Sequence, residues 1–306
     1  ARFSARRVRL ETGVNLPPEG PDRVIAPAPR WKDASGFVAP GRGVVPGDGF
    51  EAGGVRVEVL EGCFDTDDGL AFRFPQFDTV AHNLIVSQFP NFGSLGGGLG
   101  RDPEPWLRAV EALANDPPEY LLPCHGLPLS GRERVRERLT VNARAIRHLH
   151  EAVLEGLAAG ATVPDLVRDV RLPENLARHE DLRELYGAVA HTVAAIALRQ
   201  TGMWNGERRE LLPLHPDDEA ACLARALGGA AALVAHAREA VASGELAWAL
   251  RLADAADRLR AEGAADLVAE CLTRAGRASG TWTVRNVLLS VARASGRDRC
   301  DGRPMA

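Results

Sequence analysis

The sequence predicts a two-part chain, a mixed α+β part over residues 1–130 followed by an all-helical part over residues 131–306. Three observations predict it. Short apolar runs, the first of them alternating, recur between residues 54 and 90, one helix-then-strand step fills residues 103 to 126, and beyond Gly131 every segment has helical periodicity. At 306 residues the chain exceeds one domain of ordinary size, which agrees with two parts.

Residues 1 to about 55 are dense in Pro and Gly, with LPPEGP at 16–21, APAP at 26–29 and APGRGVVPGDG at 39–49, and they read as loops lying on other elements. From residue 55 VRVEVLEG alternates as a strand, LAFRFP from 70 gives a second, and DTVAHNLIVSQF from 78 a third. A flexible turn, GSLGGGLG at 93–100, leads into PEPWLRAVEALAND, whose apolar spacing is helical, and EYLLPCHG then reads as a short strand running into a loop. The long amphipathic helix that starts at Gly131 stops at the Gly of LAAG. VPDLVRDV, a turn at RLPE, a long run from about 176 to 201 and three or four shorter helices follow. Within these, GELAWALRLADAADRL places Gly244, Ala249 and Ala256 as in a helical hairpin of the tetratricopeptide (TPR) kind.

Composition excludes several functions. The net charge is −4, from 41 acids and 37 bases, and Lys32 is the sole lysine, so no basic arm or stripe suited to nucleic acid exists. No stretch approaches the roughly 20 apolar residues of a membrane span. The five cysteines, Cys63, Cys124, Cys222, Cys271 and Cys300, form no CxxC pair and are odd in number, which argues for a reducing, cytoplasmic compartment. The first residues, ARFSARRV, lack an initiator Met and a signal pattern, and the chain is expected to start inside a longer product.

Three places hold candidate metal chemistry. In Pro123-Cys124-His125-Gly126 a histidine ends an apolar strand before a tight turn, where it either caps the strand or points into a cleft. Asp65, Asp67 and Asp68 of DTDDG offer carboxylates between two strands, as ligands or as a solvated hairpin turn. His82 in VAHNL is a third candidate, or a hydrogen-bonded core residue. His148 and His150 sit two apart within a helix, about 200° around its axis, and cannot share an ion. GxSxG, HExxH and phosphate-loop signatures do not occur.

Taken in order, LPPEGP, GFEAGGVRVEVLEG, FRFP, SLGGGLGRDPEPW and HGLPLSGRERV, then VNARAIRHLHEAVLEGLAAGATVPDLV, YGAVAH, GMWNG and LHPDDEA, resemble the alkylsulfatase branch of the metallo-β-lactamase superfamily. The resemblance implies the C-terminal part of a metallo-β-lactamase-like αββα domain, then an all-α alkyl sulfatase-type dimerisation domain. It implies a zinc-dependent sulfuric-ester hydrolase, a homodimer and a small-molecule sulfate ester as substrate. On the family's pattern His125 matches the late histidine ligand, Asp65 falls near the first acidic ligand with Asp67 or Asp68 also possible, and His82 stands where the second, bridging acid is expected. The family's HxHxDH cluster does not occur in these 306 residues and is expected upstream, while Gly96 replaces the arginine that is the family's candidate sulfate contact. The expectation is therefore a hydrolase chain that is inactive in isolation. Its alternative is a non-catalytic association protein carrying a degenerate lactamase remnant, and a nitrogen-rich site for iron or a single zinc ranks behind both.

Overall fold

The computed structural model describes residues 2–25, 38–62, 68–84, 86–93, 95 and 100–301. The chain divides into two compact units, one of residues 1–30, 95–97 and 208–306, the other of residues 31–94 and 98–207.

The second of these holds a six-stranded sheet in the order β1(Gly49–Ala52), β2(Val55–Glu61), β3(Leu70–Phe74), β4(Thr79–His82), β5(Tyr120–Pro123), β6(Leu129–Ser130). All neighbours are antiparallel except β4 and β5, which are parallel. That pair requires a crossover, and α2(Pro103–Asn115) supplies it. Asp102 caps α2 by accepting a hydrogen bond from the Glu104 N–H at 3.0 Å, and Pro103 occupies the first helical position. The buried stripe of α2, with Trp106, Val110 and Leu113, packs with Ala71, Val80 and Leu121 of the sheet and with Val135, Leu139 and Ile146 of α3(Arg132–Ala158). The change from strands to helices at Gly131 is thus a change of element type, and one core runs across it. The other side of α3 joins α4(Val163–Asp169), α5(Glu174–Ala177) and α6(Val189–Thr201) around Phe89, Leu149, Val153, Leu182 and Ile196.

Gly62, which follows β2, lies so close to β3 that a Cβ would come within 2.5 Å of the Ala71 nitrogen and the Leu70 carbonyl carbon. Both obstacles are backbone, so relief requires the hairpin to open. Gly62→Ala is expected to cost about 1–3 kcal/mol, read as a lower urea midpoint with an unchanged slope.

The helical unit contains α1(Arg2–Thr12), α7(Pro216–Leu227), α8(Ala230–Ala242), α9(Leu246–Arg258), α10(Ala264–Ala278) and α11(Trp282–Asp301). Its core is alanine-rich, with Ala220, Leu233, Ala237, Leu252, Ala256, Ala264 and Leu272 together. Gly228 in the left-handed conformation (φ 92°) ends α7, and α8 departs at 86°. Gly244 (φ 80°) turns α8 into α9, a helical hairpin with Ala249 and Ala256 fully buried.

Two expectations need correction. The amino-terminal residues are not all loops, since α1 packs against α11; the Asn286 side chain donates to the Glu11 carbonyl at 3.1 Å, and the Ser290 hydroxyl donates to Asn15 Oδ1 at 2.8 Å. The run from 176 to 201 is not one helix: it breaks into α5, a 3₁₀ turn at Glu180–Leu182 and α6. Gly187 lies in that break, where a Cβ would meet the Pro90 carbonyl oxygen at 2.5 Å.

Candidate functional site

The strand directions gather the candidate residues at one edge of the sheet. In the parallel pair His82 stands opposite Pro123, so β4 and β5 both end there. β3 runs antiparallel to β4 and begins there, while β2 ends there, with Glu61 opposite Leu70. The turn after β2, the segment after His82 and the loop after Pro123 therefore share this edge. Ligand-bearing groups favour the carboxyl ends of parallel strands for the same reason, because successive loops converge there.

His125 is exposed, two residues beyond β5. The Cys124 N–H donates to the His82 carbonyl at 2.9 Å, which extends the strand pairing by one residue and fixes where the loop departs. Gly126 then adopts φ 109°, open chiefly to glycine, and its backbone lies near Ser87, whose Oγ would be 3.1 Å from a Cβ. The imidazole of His125 is thus held on a short, anchored loop in solvent. Cys124 is exposed beside it. In sequence its one signal as a donor is its adjacency to His125.

His82 has a different environment. It is 3% exposed, and its Nδ1 accepts the Leu84 N–H at 2.8 Å. An accepting Nδ1 makes the ring neutral with its proton on Nε2, and Nε2 is itself buried. Burial lowers its pKa from 6.5 to about 4. Asp68 is exposed in the turn that precedes β3. Asp65 and Asp67 lie outside the described residues. Among the described residues no group of three or more His, Cys, Asp or Glu side chains is close enough to hold a metal ion. The edge therefore presents one solvent-facing imidazole, one carboxylate and a thiol, together with a histidine buried behind them. On these residues alone the site does not fit a catalytic zinc, which takes about three protein ligands and an open position.

His148 and His150 diverge as their spacing requires: His148 Nε2 lies 2.9 Å from the Arg171 carbonyl, while His150 is buried. A hollow of about 420 Å³ lies in the helical unit between α7 and α9, lined by Leu223, Trp248, Arg251 and Arg258 among others. Arg258 there is bound by Asp217 at 2.7 Å and Asp254 at 3.0 Å, and neither His nor Cys lines the hollow. Among the described residues no single helix is long and apolar enough to cross a membrane.

Residues 162–297 match the family model for alkyl sulfatase dimerisation. A linear primary-alkylsulfatase from a Pseudomonas species is 31% identical over 265 residues, which cover 85% of this chain and 50% of that protein. The alkyl/aryl-sulfatase BDS1 of Saccharomyces cerevisiae is 27% identical over 211 residues, 67% of this chain and 32% of the yeast protein. The solved structure of a stereoselective inverting sec-alkylsulfatase from Pseudomonas shares the fold, with a TM-score of 0.86 at 23% identity over 99% of this chain and 49% of that one. This chain therefore carries an alkyl sulfatase dimerisation domain and is homologous to alkylsulfatases, and it spans about half the length of the curated relatives it matches.

Proposed function

We propose that this chain is the second half of a metal-dependent hydrolase of the alkylsulfatase type, acting on sulfate esters with zinc as the metal. The observation that carries the reading is the convergence of Asp68, His82 and His125 on one sheet edge in a chain 31% identical to a linear primary-alkylsulfatase. In this reading His125 and an acid of the DTDD turn, Asp65 or Asp68, are the ligands this half contributes. His82, with Nδ1 committed to the Leu84 N–H, holds the edge in shape. Zinc, when bound, would supply an activated water and charge stabilisation. What this chain does toward that chemistry is to hold His125 on a glycine-anchored loop at a set distance from β4.

Two ligands hold an ion weakly. The purified chain is expected to retain well under one zinc per molecule by plasma mass spectrometry and to leave dodecyl sulfate intact. Near-stoichiometric zinc together with hydrolysis would refute the incomplete site. Joined to a polypeptide bearing HxHxDH, the chain is expected to gain alkyl-sulfate hydrolysis that His125→Ala abolishes.

The buried, neutral His82 in place of an acid favours a second reading, a non-catalytic association protein. The codons upstream separate the two: the hydrolase requires HxHxDH there. Self-association through residues 162–297 is common to both readings, and a monomer by light scattering at micromolar concentration would sink it.

A further inference from the structure

Residues 2–24 lie on the helical unit, although at least 255 positions separate the pairs that join them to it. α1 packs against α11, Gly13 turns the chain in the left-handed conformation (φ 70°), and a loop follows that the Val24 N–H closes by donating to the Pro17 carbonyl at 2.9 Å. The contact is polar. Thr283, Asn286 and Ser290 recur at three and four along α11 and are all buried, so one stripe of that helix is hydroxyl and amide. A stripe that faces a hydrophobic core is aliphatic, and α11 has one as well, since Leu288, Val291 and Ala292 pack in the alanine-rich core. The polar stripe serves the carboxyl end of α1, whose last carbonyls have no partner in their own helix. Asn286 Nδ2 donates to the Glu11 carbonyl at 3.1 Å, and the Ser290 hydroxyl donates to Asn15. Farther along, the Arg277 guanidinium grips both oxygens of Asp22, at 2.7 and 2.8 Å, and Arg285 donates to the Pro21 carbonyl at 2.9 Å. Among the described side chains of residues 6–25 only Glu11 and Leu16 are buried, while Val8 and Val14 are exposed. One leucine is a small apolar anchor for a segment of this length.

We propose that residues 2–24 are a releasable clasp, and that the polar stripe of α11 with Arg277 and Arg285 is a peptide-docking groove of which they are the resident occupant. Release exposes amide, hydroxyl and guanidinium groups, which water satisfies, and the core shared by α7 to α11 stays closed. The groove takes a segment of defined chemistry: the carboxyl end of a helix, a glycine turn, and a carboxylate beyond it. Once free, α1 loses its helix, because its 11 residues are too few to hold one in water. The two states are a docked helix and an undocked coil. None of residues 2–24 falls within 162–297, so the region assigned to dimerisation carries a groove that a distant part of the chain fills.

Hydrogen exchange on the intact chain tests the clasp. Amides of residues 10–16 are expected to exchange roughly 100-fold faster than those of α8 to α10, at a rate that low urea hardly changes, as local opening requires. Asn286→Ala should speed them about 10-fold further and leave α8 and α9 unchanged. Gly13→Ala alters the clasp alone: its Cβ would lie 3.0 Å from Asn286 Cγ on a backbone at φ 70°. A biotinylated peptide of residues 1–24 should therefore bind the Gly13→Ala chain at least about 10-fold more tightly than the parent, whose tethered clasp fills the groove. Exchange of residues 10–16 in step with α8 to α10, with the same urea dependence, would make the segment part of the core and overturn the proposal. Equal binding of the peptide by the two chains, or by neither, would overturn the groove.

Discussion

Replacing Arg138 by alanine is expected to destabilise the sheet-bearing unit by about 3–5 kcal/mol. Arg138 leaves α3 with a side chain only 14% exposed and meets Asp181, whose side chain is 5% exposed, and it also bonds Glu180 at 3.0 Å. The Asp181 N–H donates to His179 Nδ1 at 3.2 Å, so the acid sits in a 3₁₀ turn with little freedom to reach water. Burial pushes the Asp181 carboxyl above the usual carboxylate range even though the Arg138 charge opposes it. Desolvation therefore outweighs attraction, and the pair adds little net stability while it is intact. Removing the arginine leaves the desolvation uncompensated, and the carboxyl pKa rises further. The deficit should be largest at neutral and alkaline pH and should shrink as acid protonates Asp181. Urea unfolding at pH 7.5 and 5 measures this, and Arg138→Met with Asp181→Leu should recover most of the loss. A deficit that does not depend on pH would show that lost packing, and not a stranded charge, is responsible.

The strand at 55–61 is legible because it alternates, those at 70–74 and 79–82 because each is a short apolar run, and α2 and α3 because their apolar residues recur at three and four. α1 is hidden by the Pro and Gly density of residues 1–55 taken together, although the first twelve contain neither. Position 187 read as part of a helical run; its glycine is required by the carbonyls of Phe89 and Pro90, about 100 positions earlier in sequence, and no local pattern reports that approach. The partnership of Arg138 with Asp181 is hidden in the same way. At the candidate site the residue types were visible, and their shared edge follows once β4 and β5 are known to be parallel. Whether each faces solvent was not visible: His82 and His125 both follow apolar strands, yet one is buried and the other exposed.

That difference has a measurable consequence for His82. Its folded pKa is about 4 against an ordinary 6.5, so the folded state holds it neutral while the unfolded chain takes up a proton below 6.5. The stability this contributes is complete above pH 6.5, falls as acid is added through the interval, and is gone below about 4. The span of the shift corresponds to about 3 kcal/mol. Carboxylates titrate over part of the same range, so the comparison must be with a variant that alters this group alone. His82→Asn keeps an oxygen near Nδ1 that can accept the Leu84 N–H, and it does not titrate. Between pH 7 and 4 the parent chain should lose about 3 kcal/mol more than His82→Asn in urea unfolding. Parallel pH profiles for the two would mean that the imidazole can charge without opening the strand end. In that case Nε2 would be reachable from the edge, and His82 would return to the ligand set beside His125.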